Sequence, residues 1–140
     1  RWNVIFVQRP GGQSQFSTRL ELPADIDEPI RNILDTIVAE PAGDYSLAQL
    51  ANRASFSERH MRRVFAQQTN TTPARFVERV RVEAARQLLE NSDMPVGNVA
   101  TKCGFGSDET MRRAFMRIIG VGPSDYRERF STLAGGQLAA

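Results

Sequence analysis

The chain repeats itself. Ser57, Met61, Arg62, Arg63, Phe65, Pro73, Glu78 and Arg79 recur 50 positions later as Ser107, Met111, Arg112, Arg113, Phe115, Pro123, Glu128 and Arg129. Glu58/Asp108 and Phe76/Tyr126 are close replacements at the same offset of 50. Upstream the offset is 49: Leu47/Val96, Leu50/Val99, Ala51/Ala100, Arg53/Lys102 and Phe56/Phe105 pair off. Gly106 is the one added residue. Whatever this chain folds into must therefore be built twice, from a unit whose turn tolerates a one-residue insertion.

Within each copy the pattern is helical. Ile26, Ile30, Ile33, Leu34, Ile37 and Val38 recur at helical spacing, with Asp27 placed to cap and Pro29 in the first turn. Pro41, Gly43 and Asp44 end that helix. Ser46 followed by Gln49 is a capping-box pattern that opens a short helix to about Ala54. Ser55-Phe56 reads as a turn, and Ser57 caps a helix to about Gln68. Thr72-Pro73 starts a long helix reaching about Glu90. Pro95 opens a short helix ending near Cys103, and Gly104-Phe105-Gly106 is its turn. Ser107 caps a helix to about Ile119; Gly120 and Gly122 break it, and Pro123 starts a last helix through about Phe130. The expected fold is all-α and homeodomain-like: about seven helices in two helix-turn-helix subdomains, joined by a long central helix.

The capped helix of each copy has two faces. Met61, Val64 and Phe65 form one apolar stripe, and Met111, Ala114 and Phe115 the other. Opposite lie Arg59, Arg62, Arg63 and Ala66, or Glu109, Arg112, Arg113 and Met116. An inward apolar stripe with an outward arginine stripe suits a helix seated in a major groove. Charge supports that direction. Residues 1–50 hold four arginines against seven acids, whereas residues 51–130 hold fourteen cations against nine. All but Lys102 of the 18 cations are arginine, the better bidentate partner for phosphate or guanine. A single Arg on a helix is ordinary solvated surface; a pair kept in both copies argues for more.

Other classes fall away. One cysteine allows no internal disulfide, and one Cys with one His cannot make a structural zinc site. No metal or cofactor is expected. No stretch approaches the roughly 18 apolar residues of a membrane span, and the expected compartment is the cytoplasm. Cys103 reads as a buried structural thiol, because no second cysteine can resolve a sulfenate. His60 reads as packing or phosphate-contacting, with no nucleophile or carboxylate constellation around it. Arg79 is within i,i+4 reach of Glu83 and reads as structural, as does Arg129.

Residues 2–7 read as a short strand without a partner, and residues 9–24, with Pro10-Gly11-Gly12, read as a linker. With Arg1 in place of Met, this suggests the end of an upstream domain. The expected partition is 1–24 as domain end plus linker, 25–90 as the first subdomain with its connecting helix, 91–133 as the second, and 134–140 as a disordered tail.

Residues 46–130 resemble the DNA-binding domain of the AraC/XylS family of transcription regulators. The likeness is carried by Gly104-Phe105-Gly106-Ser107, then Arg113, Phe115, Gly120, Pro123 and Tyr126, and covers about 85 of 140 residues. It implies sequence-specific binding of double-stranded DNA and activation or repression at promoters, often with direct RNA polymerase contact. Two recognition helices, about 58–68 and 108–118, would enter successive major grooves. By position the base-reading candidates are Arg59, Arg62, Arg63, Glu109, Thr110, Arg112 and Arg113. The phosphate-contact candidates are Ser57, His60, Gln67, Thr72, Ser107 and Arg117. Arg9 to Ser17 resembles the linker of a subgroup with an upstream class I glutamine-amidotransferase-like (PfpI-type) domain. That implies a small-molecule effector sensed only through the upstream domain.

Two other functions compete. A helical protein-interaction module that kept the fold but lost DNA would bind DNA weakly and without salt dependence. An enzyme would need its catalytic part upstream, since residues 1–140 present no plausible active site.

Overall fold

The computed structural model describes residues 26–130, and every regular element among them is helical. Six helices are α1 (Glu28–Ala39), α2 (Leu47–Ala54), α3 (Glu58–Thr69), α4 (Pro73–Asn91), α5 (Val96–Lys102) and α6 (Asp108–Ile118). Residues 123–130 are helical as well, here α7. The strand expected at 2–7, the linker after it and the tail at 134–140 lie outside the described residues.

The chain forms two compact units, one through Val80 and one from Arg81. The boundary falls inside α4, so that helix supplies Phe76, Val77 and Val80 to one core and Val82, Ala85 and Leu89 to the other. Nineteen residues of uninterrupted helix make this possible, because Thr72 caps the start and no Gly or Pro interrupts it before Asn91.

In the first unit α1 buries Ile30, Ile33, Leu34, Ile37 and Val38, the stripe expected from their spacing. They pack in one cluster with Leu50, Ala51, Met61, Val64, Phe65 and Phe76. Each fully buried side chain of this size stabilises by roughly 1.5–3 kcal/mol. Tyr45 closes the unit by donating its hydroxyl to the carbonyls of Thr36 and Glu40 at the end of α1. In the second unit Val99, Ala100, Cys103, Phe105, Met111, Ala114 and Phe115 gather with the second half of α4.

The repeat is geometrical as well as textual. The Phe56 N–H donates to the Ala51 carbonyl at 2.8 Å, and the Phe105 N–H to Ala100 at 2.9 Å. Phe65 meets Phe76 edge-on at 6.1 Å between centroids, and Phe115 meets Tyr126 edge-on at 6.1 Å. The turns differ in the residue that goes left-handed. Ser55 does so at φ 58, and its counterpart Gly104 at φ 91. The added Gly106 is also left-handed at φ 86, with open space where a Cβ would stand. Backbone conformation, not crowding, is what favours glycine there.

Two capping expectations are corrected. Asp27 sits at the N-cap of α1 but its side chain does not cap. Its carboxylate accepts from Gln68 Nε2 at 2.8 Å, and its own N–H donates to Gln68 Oε1 at 2.8 Å. This two-point clasp ties the start of α1 to the end of α3. Ser46 does cap α2, accepting from the Gln49 N–H at 3.3 Å, but the reciprocal half of the box comes from another residue. The Ser46 N–H goes to Asp44 Oδ1 at 3.2 Å. The Glu83 carboxylate is held by Arg86 at 2.8 Å, an i,i+3 partner that the sequence expectation did not name.

Cys103 is buried, as expected, and burial pushes its thiol up to about 11. A thiol so held is protonated and unreactive at neutral pH.

Candidate nucleic-acid interface

Helix α3 is presented by its cap and its core. Ser57 Oγ accepts from the His60 N–H at 3.1 Å, and Glu58 follows at the positive end of the helix dipole. Met61, Val64 and Phe65 are buried, which turns Arg59, Arg62, Arg63 and Gln67 to solvent. His60 is half-buried, its ring edge-on to Phe56 with centroids 4.4 Å apart. Its Nδ1 lies 2.7 Å from Arg63 Nη2. A guanidinium can only donate, so Nδ1 is the acceptor and the ring proton is assigned to Nε2. Thr72 is exposed, and its hydroxyl oxygen accepts from the Arg75 N–H at 3.2 Å as the cap of α4.

Helix α6 is built the same way with a different charge pattern. Ser107 Oγ accepts from the Thr110 N–H at 3.1 Å, and the two hydroxyls are 2.9 Å apart. Met111, Ala114 and Phe115 are buried, leaving Glu109, Thr110, Arg112, Arg113, Met116 and Arg117 exposed. Glu109 receives Arg112 through both oxygens, from Nε at 3.0 Å and Nη2 at 2.7 Å. Arg113 Nε adds a third bond at 3.0 Å. These donors, Arg112 first and Arg113 second, pull the Glu109 carboxyl down to about 2. The pairs are open to water and salt, so they order the side chains more than they stabilise the fold.

All seven expected base-reading residues are therefore exposed on α3 or α6. Three of them, Glu109, Arg112 and Arg113, are drawn into one hydrogen-bonded fork. At the matching position α3 carries Arg59 instead of Glu109, and although Glu58 stands four residues before Arg62, the ion pairs found among the described residues leave Arg59, Arg62 and Arg63 untied to any acid. One charge reversal between the copies separates an open cationic face from a partly self-neutralised one. The six phosphate candidates also lie on exposed or half-buried ground, four of them at helix starts: Ser57, His60, Thr72 and Ser107.

One polar cluster escaped the sequence reading. Glu83 is 1% exposed, yet its carboxylate holds Arg86, whose Nε donates to the Tyr126 hydroxyl at 3.0 Å. Tyr126 in turn donates to Glu90. The signal was there: Glu83 falls at helical spacing behind Phe76 and Val80, on a face that should be apolar.

Comparison with known proteins agrees with this architecture. A family model described as a helix-turn-helix domain matches residues 50–129. An HTH-type transcriptional regulator of Mycobacterium tuberculosis is 46% identical over 89 residues, covering 64% of this chain and 34% of that protein. The transcriptional activator RhaS of Citrobacter koseri is 32% identical over 112 residues, covering 80% of this chain and 40% of its own. The chain thus spans well under half the length of these curated relatives. Among solved structures, the DNA-binding domain of the transcriptional factor AdpA, crystallised with a target DNA, superposes with a TM-score of 0.72 at 31% identity. That match covers 76% of this chain and 96% of the other. A probable AraC family regulator from Rhodopseudomonas palustris shares the fold at TM-score 0.66 and 24% identity, covering 74% and 98%. No described helix is long and apolar enough to cross a membrane.

Proposed function

The chain belongs to the AraC family of helix-turn-helix DNA-binding domains of transcription regulators, and from that premise we propose that it reads one duplex with α3 and α6 in successive major grooves. The observation that carries this is the duplicated exposed face: arginines at the same two positions of two identically capped helices, each backed by the same apolar stripe. Two grooves on one side of B-DNA lie about 10 bp apart.

In this reading Arg59, Arg62 and Arg63 contact bases from α3, and Glu109, Thr110, Arg112 and Arg113 from α6. Ser57, His60, Gln67, Thr72, Ser107 and Arg117 contact phosphates. With Nδ1 engaged by Arg63, Nε2–H is the remaining donor of the His60 ring, which suits a phosphate oxygen. Helix α3 is the anchor, because Arg59 and Arg62 meet DNA without first leaving an acid. Helix α6 discriminates, because Glu109 can accept from a cytosine amino group while its arginines reach guanine or phosphate. The full-length protein acts in the cytoplasm at promoters and touches RNA polymerase. The effector reaches it through a PfpI-type domain ending within residues 1–24, ahead of subdomains at 25–90 and 91–133.

Selection of duplexes from random DNA with this chain, followed by a salt titration on the winner, tests the reading. Log affinity should fall steeply with log salt, as contacts release counterions. Arg62→Ala should cost roughly 1–3 kcal/mol and relax preference at one position of the first half-site. An unchanged enriched motif and unchanged affinity would remove Arg62 from the readers. A footprint one groove wide would remove α6.

Glu109→Gln is expected to act in the opposite sense. Freed from the fork, Arg112 and Arg113 should raise affinity for random duplex, with a salt slope steeper by about 0.9 for one added phosphate contact. The ratio of specific to random binding should fall. Anisotropy titrations on both duplexes measure it, and an unchanged slope would mean that the fork persists on DNA or never mattered.

A further inference from the structure

We infer that Met116 reads a thymine in the second half-site, through apolar contact with the C5-methyl group. The inference rests on the proposed docking of α6 in a major groove.

At 100° per residue, the exposed positions of α6 can be placed around its axis. With Glu109 at zero, Arg112 falls near 300°, Arg113 near 40° and Met116 near 340°. The buried Met111, Ala114 and Phe115 centre on the far side, near 190°. Met116 is thus at the middle of the outward face, between the two arginines. It is 47% exposed, the most open large apolar side chain among the described residues, ahead of Phe130 at 36%. Its packing does not explain it: the core of the unit is closed by Met111 and Phe115, both fully buried.

The direction of the side chain adds to this. Long side chains on a helix lean back over the preceding turn. For Met116 that is the turn holding Arg112 and Arg113, the end of the helix that meets base edges. An unbranched thioether can settle against an irregular apolar surface there. In the major groove the bases offer one prominent apolar group, the thymine methyl. The charged groups around Met116 are fitted to guanine, cytosine and phosphate, so the face has a place for each kind of group a duplex presents. At offset 50 the first copy carries Ala66, also exposed, whose short side chain reaches less far.

The test replaces thymine by uracil, which removes only the methyl group. Each thymine of the second half-site in the selected duplex is exchanged singly, and affinity is measured for the unaltered chain, Met116→Ala and Met116→Leu. One exchange should weaken the unaltered chain by about fourfold, the worth of one buried methyl group. Met116→Ala should already bind the thymine duplex more weakly and lose nothing further with uracil. Met116→Leu should keep most of the uracil effect. Helix content by circular dichroism should match in all three, since the side chain is exposed. A second half-site without thymine, or an equal uracil effect in Met116→Ala, overturns the assignment while leaving DNA binding intact. Failure of the unaltered chain to select any duplex overturns the docking itself, and this inference with it.

Discussion

Phe65→Ala should abolish ordered presentation of α3, although it changes no atom on the outward face. Phe65 is fully buried in the first core and edge-on to Phe76. Removing its ring forfeits the transfer energy and leaves a cavity, together about 3–5 kcal/mol. The described part of this unit, residues 26–80, is small. At about 0.05–0.15 kcal/mol per residue its whole stability is roughly 3–8 kcal/mol. One substitution therefore consumes most of it. Thermal unfolding should shift down by more than about 10 °C, since about 1 kcal/mol moves a unit of this size by 4–8 °C. DNA affinity should fall with the folded fraction. Phe65→Leu should recover much of the loss, because an apolar side chain of similar reach refills the site. A melting curve for Phe65→Ala within a few degrees of the unaltered chain would show that α3 is held by something other than this core.

The second large effect is a dependence of stability on pH. Burial, more than any neighbour, pushes the Glu83 carboxyl up from 4.5 to about 7, against the pull of Arg86 and Gln87. The native state then binds this proton more tightly than the unfolded chain does. Its stabilising contribution is complete below about pH 4.5 and is lost as pH rises through about 7. The full swing is about 3 kcal/mol, an order-of-magnitude figure from 1.36 kcal/mol per pH unit. Glu109 does not confuse the window, because its carboxyl titrates far lower, near 2. Denaturant unfolding of the second unit between pH 5 and 8 should show stability declining. Glu83→Gln should flatten the profile and be the more stable protein at pH 8. Arg86→Met should be the reverse: about 3 kcal/mol worse at pH 8, where it strands a buried carboxylate, and much less harmful at pH 5. A flat profile for the unaltered chain, matching Glu83→Gln, would refute the shift.

Most of the fold was legible before any coordinates. Ser57 and Ser107 cap where the sequence places caps, and the stripes Met61-Val64-Phe65 and Met111-Ala114-Phe115 are buried as spaced. These features are local: a cap acts over three residues, and a stripe follows from 3.6 residues per turn. The duplication raised their weight, since two copies agreed on the same faces. The site was legible as a set of exposed residues, but not as a set of partners.

What the sequence by itself determined is a doubled helix-turn-helix with two outward arginine faces, because periodicity and capping need no knowledge of distant neighbours. Tertiary structure decided which groups meet. Asp27 abandons its cap for Gln68, and Arg86 reaches Tyr126, across separations of 41 and 40 residues that no spacing rule reaches. Glu109 is the instructive intermediate. Its arginines stand at i+3 and i+4, within sight of any helical wheel, yet spacing cannot say whether a carboxylate faces solvent or its own neighbours. Rotamer choice settles that, and it turns the exchange of Arg59 for Glu109 into unequal faces: α3 offers its charge freely, and α6 must first give up Glu109.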